Sequence, residues 1–317
     1  MSEKLSEKVR FVEILEDEAG QRLDNYLIRV LKGAPKSLVY RIIRKGEVRI
    51  NKGRCKPDRK LQGGDVVRIP PVKLDSGKQA QKPGQKLMDL ISESIIYESP
   101  ALLIVNKPSG LAVHGGSGVQ LGLIETLRQM YGEKVYLELV HRIDRDTSGC
   151  IMVAKKRPML RYLHSLFRSE GGVNKTYLAL VKGHWSKRKI AVDAPLKRYE
   201  LQNGERRVRV DSDGKPSKTL FSVVERYDGA TLVKAKPVTG RTHQIRVHGL
   251  HAGHPLVGDE KYGDDDFNRE MKKNGLNRLF LHAFQLDLTL SDGTPLHVEA
   301  PLPTILTEGL SKLTRSE

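Results

Sequence analysis

The sequence predicts an α+β protein: a small α/β domain at the N-terminal side, and a larger domain with a mixed, largely antiparallel sheet, flanking helices and a central cleft. Three observations carry this. Charge is uneven: of 317 residues, 55 are Lys or Arg and 38 are Asp or Glu, a net +17, and residues 21–72 alone hold 14 basic against four acidic side chains. Residues 73–94 (KLDSGKQAQKPGQKLMDLISES) have the Lys/Gln/Gly/Ser texture of a linker. Beyond residue 95 strand-like runs are many and rarely alternate regularly with helices, which argues against a doubly wound parallel sheet.

The expected organisation is an N-terminal extension (1–19), a basic domain (20–72), a linker (73–94) and the larger domain (95–317). In the basic domain Leu23, Tyr26, Leu27 and Val30 recur at helical spacing with Asp24 in the first turn. Ser37 precedes a second helix with Val39, Ile42 and Ile43 on one face, and Gly46 stops it. Glu47 to Asn51 reads as a strand, Asn51-Lys52-Gly53 as a turn and Asp65 to Ile69 as another strand. In the larger domain strands are expected at 102–105, 150–154, 175–181, 219–227, 230–238, 279–290 and 295–299. Helices are expected at 124–130, around 160–167 and at 242–252, the last with Thr242 near its start and Gly253 past its end.

Composition narrows the function. So large a basic excess points to a polyanionic partner, nucleic acid before any other. Two distant cysteines, Cys55 and Cys150, exclude a disulfide scaffold and a Cys-rich zinc site. No apolar run is long enough to span a bilayer, and Met1 to Arg10 has no apolar core of a signal peptide, so a cytoplasmic protein is expected. Gly116-Ser117-Gly118 lacks the third glycine of a dinucleotide loop, and neither G-x-x-x-x-G-K-S/T nor G-x-S-x-G occurs. The histidines at 243, 248, 251 and 254 lack H-E-x-x-H spacing and paired carboxylates, so no metal is expected.

Two stretches are dense in reactive groups. His141-Arg142-Ile143-Asp144-Arg145-Asp146-Thr147-Ser148-Gly149 places two carboxylates, two guanidiniums and an imidazole on one loop before a strand. A carboxylate bracketed by arginines is held ionised, ready to act as nucleophile or base; a charged surface turn is the plainer alternative. Thr239 to His248 (TGRTHQIRVH) puts Arg241 near a helix start, an anion-favouring position, with Thr242 and Arg246 sharing a helix face. Polar groups lining a phosphate-rich cleft are the plainer reading there.

Residues 20–70 resemble an S4-type RNA-binding domain through Arg22-Leu23-Asp24, Ser37, Tyr40 to Arg44, Gly46, Val48, Asn51, Pro57, Leu61 and Gly64-Asp65-Val66-Val67. Lys36, Arg41, Arg44, Lys45 and Arg54 are the expected RNA contacts, basic groups suited to phosphates and sensitive to salt. The larger domain resembles the RluA family of pseudouridine synthases. The motifs occur in family order: Asn106-Lys107-Pro108-Ser109-Gly110, His141-Arg142-Ile143-Asp144 with Thr147-Ser148-Gly149, Lys175 to Val181, Gly240 to His248 and Leu281-His282-Ala283. Ile143 stands where the family commonly has Leu. Within the family, Ala112 to Gly118, Arg145-Asp146 and Leu201 to Val210 look most like the C-type enzymes of large-subunit ribosomal RNA, with the D type as the alternative.

The resemblance implies isomerisation of uridine to pseudouridine in large-subunit ribosomal RNA or a pre-ribosomal particle, by a monomer without cofactor, metal or membrane. It makes Asp144 the catalytic carboxylate, Arg246 its ion-pair partner and Tyr177 the residue that stacks on the base. His141, Arg142, Arg241 and Leu281 are the implied substrate contacts, Arg142 filling the space a flipped base leaves. Two other readings compete. One is a noncatalytic RNA-binding or ribosome-assembly protein. The other is a hydrolase using Asp144 and Asp146, two residues apart and so directed to opposite sides of an extended stretch.

Overall fold

The computed structural model describes residues 8–31, 34–72, 83–115, 121–132, 134–185 and 190–316. They form two compact units, one within residues 1–81 and one within 82–317. Expectations for residues 1–7, for 73–82 of the linker and for Gly116-Ser117-Gly118 lie outside the described residues.

The first unit runs β1 (Arg10–Glu13), a 3-10 turn (Glu16–Glu18), α1 (Leu23–Val30), α2 (Lys36–Arg44), β2 (Arg49–Ile50), β3 (Gly53–Arg54) and β4 (Val66–Ile69). Its strands form one antiparallel sheet in the order β1-β4-β2-β3. Leu23, Tyr26 and Leu27 of α1 and Val39, Ile42 and Ile43 of α2 close over Val48, Ile50, Val67 and Ile69. The expected extension 1–19 is therefore too long. Arg10–Glu13 pairs with Val66–Ile69, and Ile14 is buried in the same core. Val12 and Ile14 turn inward at the period of a strand, a signal too short to see against the charged lead.

The β2–β3 hairpin closes through Asn51 and Lys52, at φ 49° and 68°. Asn51 donates to Asp65 Oδ1 and accepts from the Val66 amide, both at 2.8 Å. Lys52 occupies the left-handed position where such turns favour glycine. Lys52→Gly is expected to stabilise the protein by about 0.5–1 kcal/mol, read as a higher urea midpoint at unchanged slope.

The second unit runs α3 (Gln85–Glu93), β5 (Ile95–Glu98), β6 (Leu102–Lys107), α4 (Leu123–Tyr131), β7 (Glu138–Leu139), β8 (Ser148–Ala154), α5 (Arg157–Arg168) and β9 (Val173–Lys182). It continues through β10 (Ile190–Asp193), β11 (Leu196–Glu200), β12 (Arg206–Val210), β13 (Lys218–Tyr227), β14 (Ala230–Pro237), α6 (Gln244–His251) and α7 (Asp265–Lys273), and ends with β15 (Leu281–Thr289), β16 (Pro295–Glu299) and α8 (Thr304–Ser311). The main sheet has the order β10-β13-β14-β9-β15-β8-β6-β5, with β16 on β15 and β7 on β8, and β11–β12 form a separate ribbon. Among the described residues only β8 and β15 pair in parallel; the sheet is otherwise antiparallel. Residues 85–93, expected as linker, are α3: Leu87 and Ile91, one helical turn apart, pack on Leu103, Val105 and Leu127, and the polar remainder faces outward. Among the described residues no helix is long and apolar enough to cross a membrane.

The sheet brings distant motifs to one place. The parallel register sets His282 beside Ser148 and Ala283 beside Gly149, so the loop before β8 and the start of β15 emerge at the same end. Tyr177 of β9 lies across from Ala283 on one side and Ala235 on the other. The Gly149 requirement is steric. At φ 106° a Cβ there would lie 2.3–2.7 Å from the backbone of Ala283, closer than packed atoms approach. Gly149→Ala is expected to cost about 1–3 kcal/mol or more by prising β8 from β15, visible as a lowered melting temperature.

Candidate active site

His141, Arg142, Asp144, Tyr177, Arg241, Arg246 and Leu281 line one cleft of about 270 Å³ in the second unit. They come from the 141–147 loop, β9, the 239–243 loop, α6 and the start of β15. Phe167, Lys175, His243 and Gln244 join them.

The 141–147 loop is held from beneath. Lys107 is fully buried, and its ammonium donates to the carbonyls of Pro108, Leu111 and Arg145 at 2.8, 2.8 and 2.9 Å. Ser109 Oγ donates to Asp146 O at 2.7 Å, and the Gly110 amide to Arg145 O at 2.9 Å. The 106–110 motif thus grips the two residues that follow Asp144. Ile143 plugs into the core beside Val113 and Leu123. Burial, with the Arg278 charge, pushes Lys107 down to about 7. The unfolded chain keeps this proton to about pH 10.4. Lys107 therefore adds stability that is fully present above the unfolded value and lost as pH falls to about 7. Urea unfolding between pH 7 and 10 is expected to show a larger gain for wild type than for Lys107→Met.

Arg246 links two carboxylates. Its Nε and Nη2 donate to Asp259 Oδ2 and Oδ1, both at 2.7 Å, and its Nη1 donates to Asp144 Oδ2 at 3.2 Å. Asp259 is fully buried and also accepts from the Lys261 and Tyr262 amides. Burial alone would raise its carboxyl; the bonds and charge of Arg246 outweigh that and hold it below the usual range. Burial opposes the Arg246 charge, but Asp259 and Asp144 hold it firmly protonated. Asp144 is the more open member, its side chain 23% exposed.

The Tyr262 ring lies under the Arg246 guanidinium at 5.1 Å. Its phenol accepts from the Val208 amide, which leaves its hydrogen for His243 Nδ1 at 2.8 Å. His243 Nε2 then faces Asp144 Oδ2 at 3.8 Å. Burial holds His243 below the ordinary imidazole value, so it meets Asp144 as a neutral ring. The helix begins later than expected: α6 starts at Gln244 with His243 at φ 53° as its N-cap, while Thr242 accepts from Arg198 and lies outside the helix. The Gln244 side chain ties down the preceding loop, accepting from Thr239 Oγ1 and the Arg241 amide.

Not every expected contact presents a free polar group. His141 Nε2 accepts from the Met152 amide at 3.1 Å, so the ring pins the loop to β8. Burial, with the Lys175 charge nearby, pushes His141 down to about 3, and it stays neutral. Tyr177 packs against both halves of the core, and burial and the Asp144 charge raise its phenol well above the usual value. Leu281 is buried in the floor. Arg142 and Arg241 are exposed at the mouth. Asp146 pairs with Arg145 and lies outside the cleft lining, so the two carboxylates do not share the cleft. His248 binds Thr219 Oγ1 and Ala194 O, and His254 binds Lys182 O; among the described residues no cluster could hold a metal.

Sequence reasoning missed Asp259 and Tyr262, which lie 13 and 16 residues beyond Arg246 with no motif to mark them. It saw Lys107 only as part of a motif. In the first unit Lys36, Arg41, Arg44, Lys45 and Arg54 are all exposed, and Arg44 and Arg54 line a shallow hollow with Tyr40 and Lys56.

The chain belongs to the RNA pseudouridylate synthase family. The family's sequence pattern matches residues 101–251, which contain Asp144, Tyr177 and Arg246, and the S4 domain pattern matches residues 21–67. Among its relatives are proteins named ribosomal large subunit pseudouridine synthase C. The one from Pasteurella multocida is 55% identical over 310 residues, 95% of this chain and 94% of that one. The one from Escherichia coli is 53% identical over 309 residues, 96% and 97% of the two chains. Of solved structures, human RNA pseudouridylate synthase domain containing 4 superposes with a TM-score of 0.60 at 27% identity, over 73% of this chain and 97% of that one. The fold class and the synthase family read from the sequence both stand.

Proposed function

We propose that the protein converts specific uridines of large-subunit ribosomal RNA to pseudouridine, acting as a cytoplasmic monomer on the RNA or a pre-ribosomal particle. The observation that carries this reading is the Asp144–Arg246–Asp259 chain opening into the cleft beside Tyr177. Near-full-length identity to relatives named for the large subunit supports the choice of RNA.

In this reaction the N1–C1′ bond of a uridine breaks, the uracil turns in place, and C5 bonds to C1′ while the C5 proton leaves. Asp144 is the carboxylate that acts on the flipped nucleotide. Arg246 keeps it aimed, and Asp259 takes up two donors of Arg246 so that its third faces the cleft. The Tyr177 ring stacks on the uracil. Burial and the Asp144 charge keep its phenol protonated near neutrality. Arg142 enters the stack vacated by the base. The basic groups of the first unit add sequence-poor affinity for folded RNA.

The substrate is tested with transcripts labelled at uridine C5 with tritium. Release is expected from large-subunit RNA or particles and not from small-subunit RNA. Equal release from both would overturn the large-subunit assignment.

A further inference from the structure

Lys175 sits in the cleft without a settled structural role. It precedes Tyr177 by two on β9, so both side chains stand on one face, about 6–7 Å apart along the strand. The ammonium lies over the Phe167 ring at 5.4 Å, and no carboxylate among the described residues pairs with it. It is part-buried, whereas Arg142 and Arg241 are exposed at the mouth. Burial pulls its pKa below the usual lysine range. An unpaired cation in such a place is costly unless a ligand brings the complementary charge.

The neighbouring charges say which part of the ligand that is. The three donors of Arg246 that reach carboxylates are spent on Asp259 and Asp144. On the synthase reading, the phosphates of a flipped nucleotide stay continuous with the RNA backbone, outside the cleft near the exposed Arg142 and Arg241, and the uracil enters deeper, against Tyr177.

We propose that Lys175 binds an exocyclic oxygen of the uracil and stabilises the negative charge that the ring carries once it is detached. When N1–C1′ breaks, its electron pair stays with the uracil. That charge is discharged as C5 bonds to the C1′ left electron-poor by the cleavage; the C5 proton is then released to water and N1 takes up one proton from water, so that charge and protons balance. Lys175 donates a hydrogen bond throughout and gives up no proton. Its interaction is strongest when the ring is anionic, so it acts on the rate more than on binding.

The inference rests on the synthase reading, and one experiment separates the two. Wild-type protein and the Lys175→Met and Lys175→Arg variants are compared for RNA affinity by filter binding and for single-turnover tritium release at saturating RNA. Wild-type release tests the reaction itself; its absence would sink the synthase reading whatever the variants do. With release established, Lys175→Met is expected to lose about 10²–10³-fold in rate with affinity changed less than about threefold, and Lys175→Arg to regain most of the rate. Weakened affinity at an unchanged saturating rate would overturn the proposal in favour of a phosphate contact. Unchanged rate and affinity would overturn it outright. Equal loss in Met and Arg with a lowered melting temperature would reduce Lys175 to packing.

Discussion

Asp144→Asn is expected to slow pseudouridine formation by about 10⁴-fold while leaving fold and RNA affinity near wild type. Asparagine keeps the shape of the side chain and removes its charge, which every route through Asp144 requires. The structural cost is small. Asp144 is part-exposed and accepts one long hydrogen bond, from Arg246 at 3.2 Å, and Arg246 keeps both of its 2.7 Å bonds to Asp259. A stability change within about 1 kcal/mol follows. Single-turnover kinetics and thermal melts on the same preparation check both halves.

Asp259→Asn is expected to damage both stability and catalysis. Asp259 is fully buried and accepts from two Arg246 nitrogens and two backbone amides. Removing its charge leaves a buried guanidinium with Asp144 as its sole carboxylate, and breaking a buried pair in this way costs about 3–5 kcal/mol. Arg246 then draws onto Asp144, so the rate at saturating RNA falls while affinity changes little. Urea unfolding and single-turnover rates at a temperature where the variant is folded read the two effects. A stability loss below about 0.5 kcal/mol would show that Asp259 does not clamp Arg246.

That Asp144, Tyr177 and Arg246 line one cleft was legible because each sits in a local motif, and the sheet had only to bring the motifs together. The boundaries of α1, β9, β13 and β16 followed from apolar spacing within two residues. What the sequence hid was of another kind. Asp259 and Tyr262 act through contacts with a helix one loop away, and nothing in their own neighbourhood marks them. Helix α3 was concealed by its composition, since Leu87 and Ile91 need only one narrow stripe of apolar surface to dock. His141 was read as a substrate contact, yet its Nε2 is spent on the Met152 amide, a partner that only the fold of β8 supplies. Thr242 had the chemistry of an N-cap, but the left-handed backbone of His243 moved the helix start beyond it.

Asp144 is proposed to drive an isomerisation that leaves the RNA chain whole. The direct measurement follows C5-tritium release, pseudouridine content and strand length together on large-subunit RNA, for wild type and Asp144→Asn. Wild type is expected to release one tritium per pseudouridine formed and to leave the RNA intact, and Asp144→Asn to give neither product despite retained binding. Release that persists in Asp144→Asn, or abasic or cleaved RNA from wild type, would contradict this.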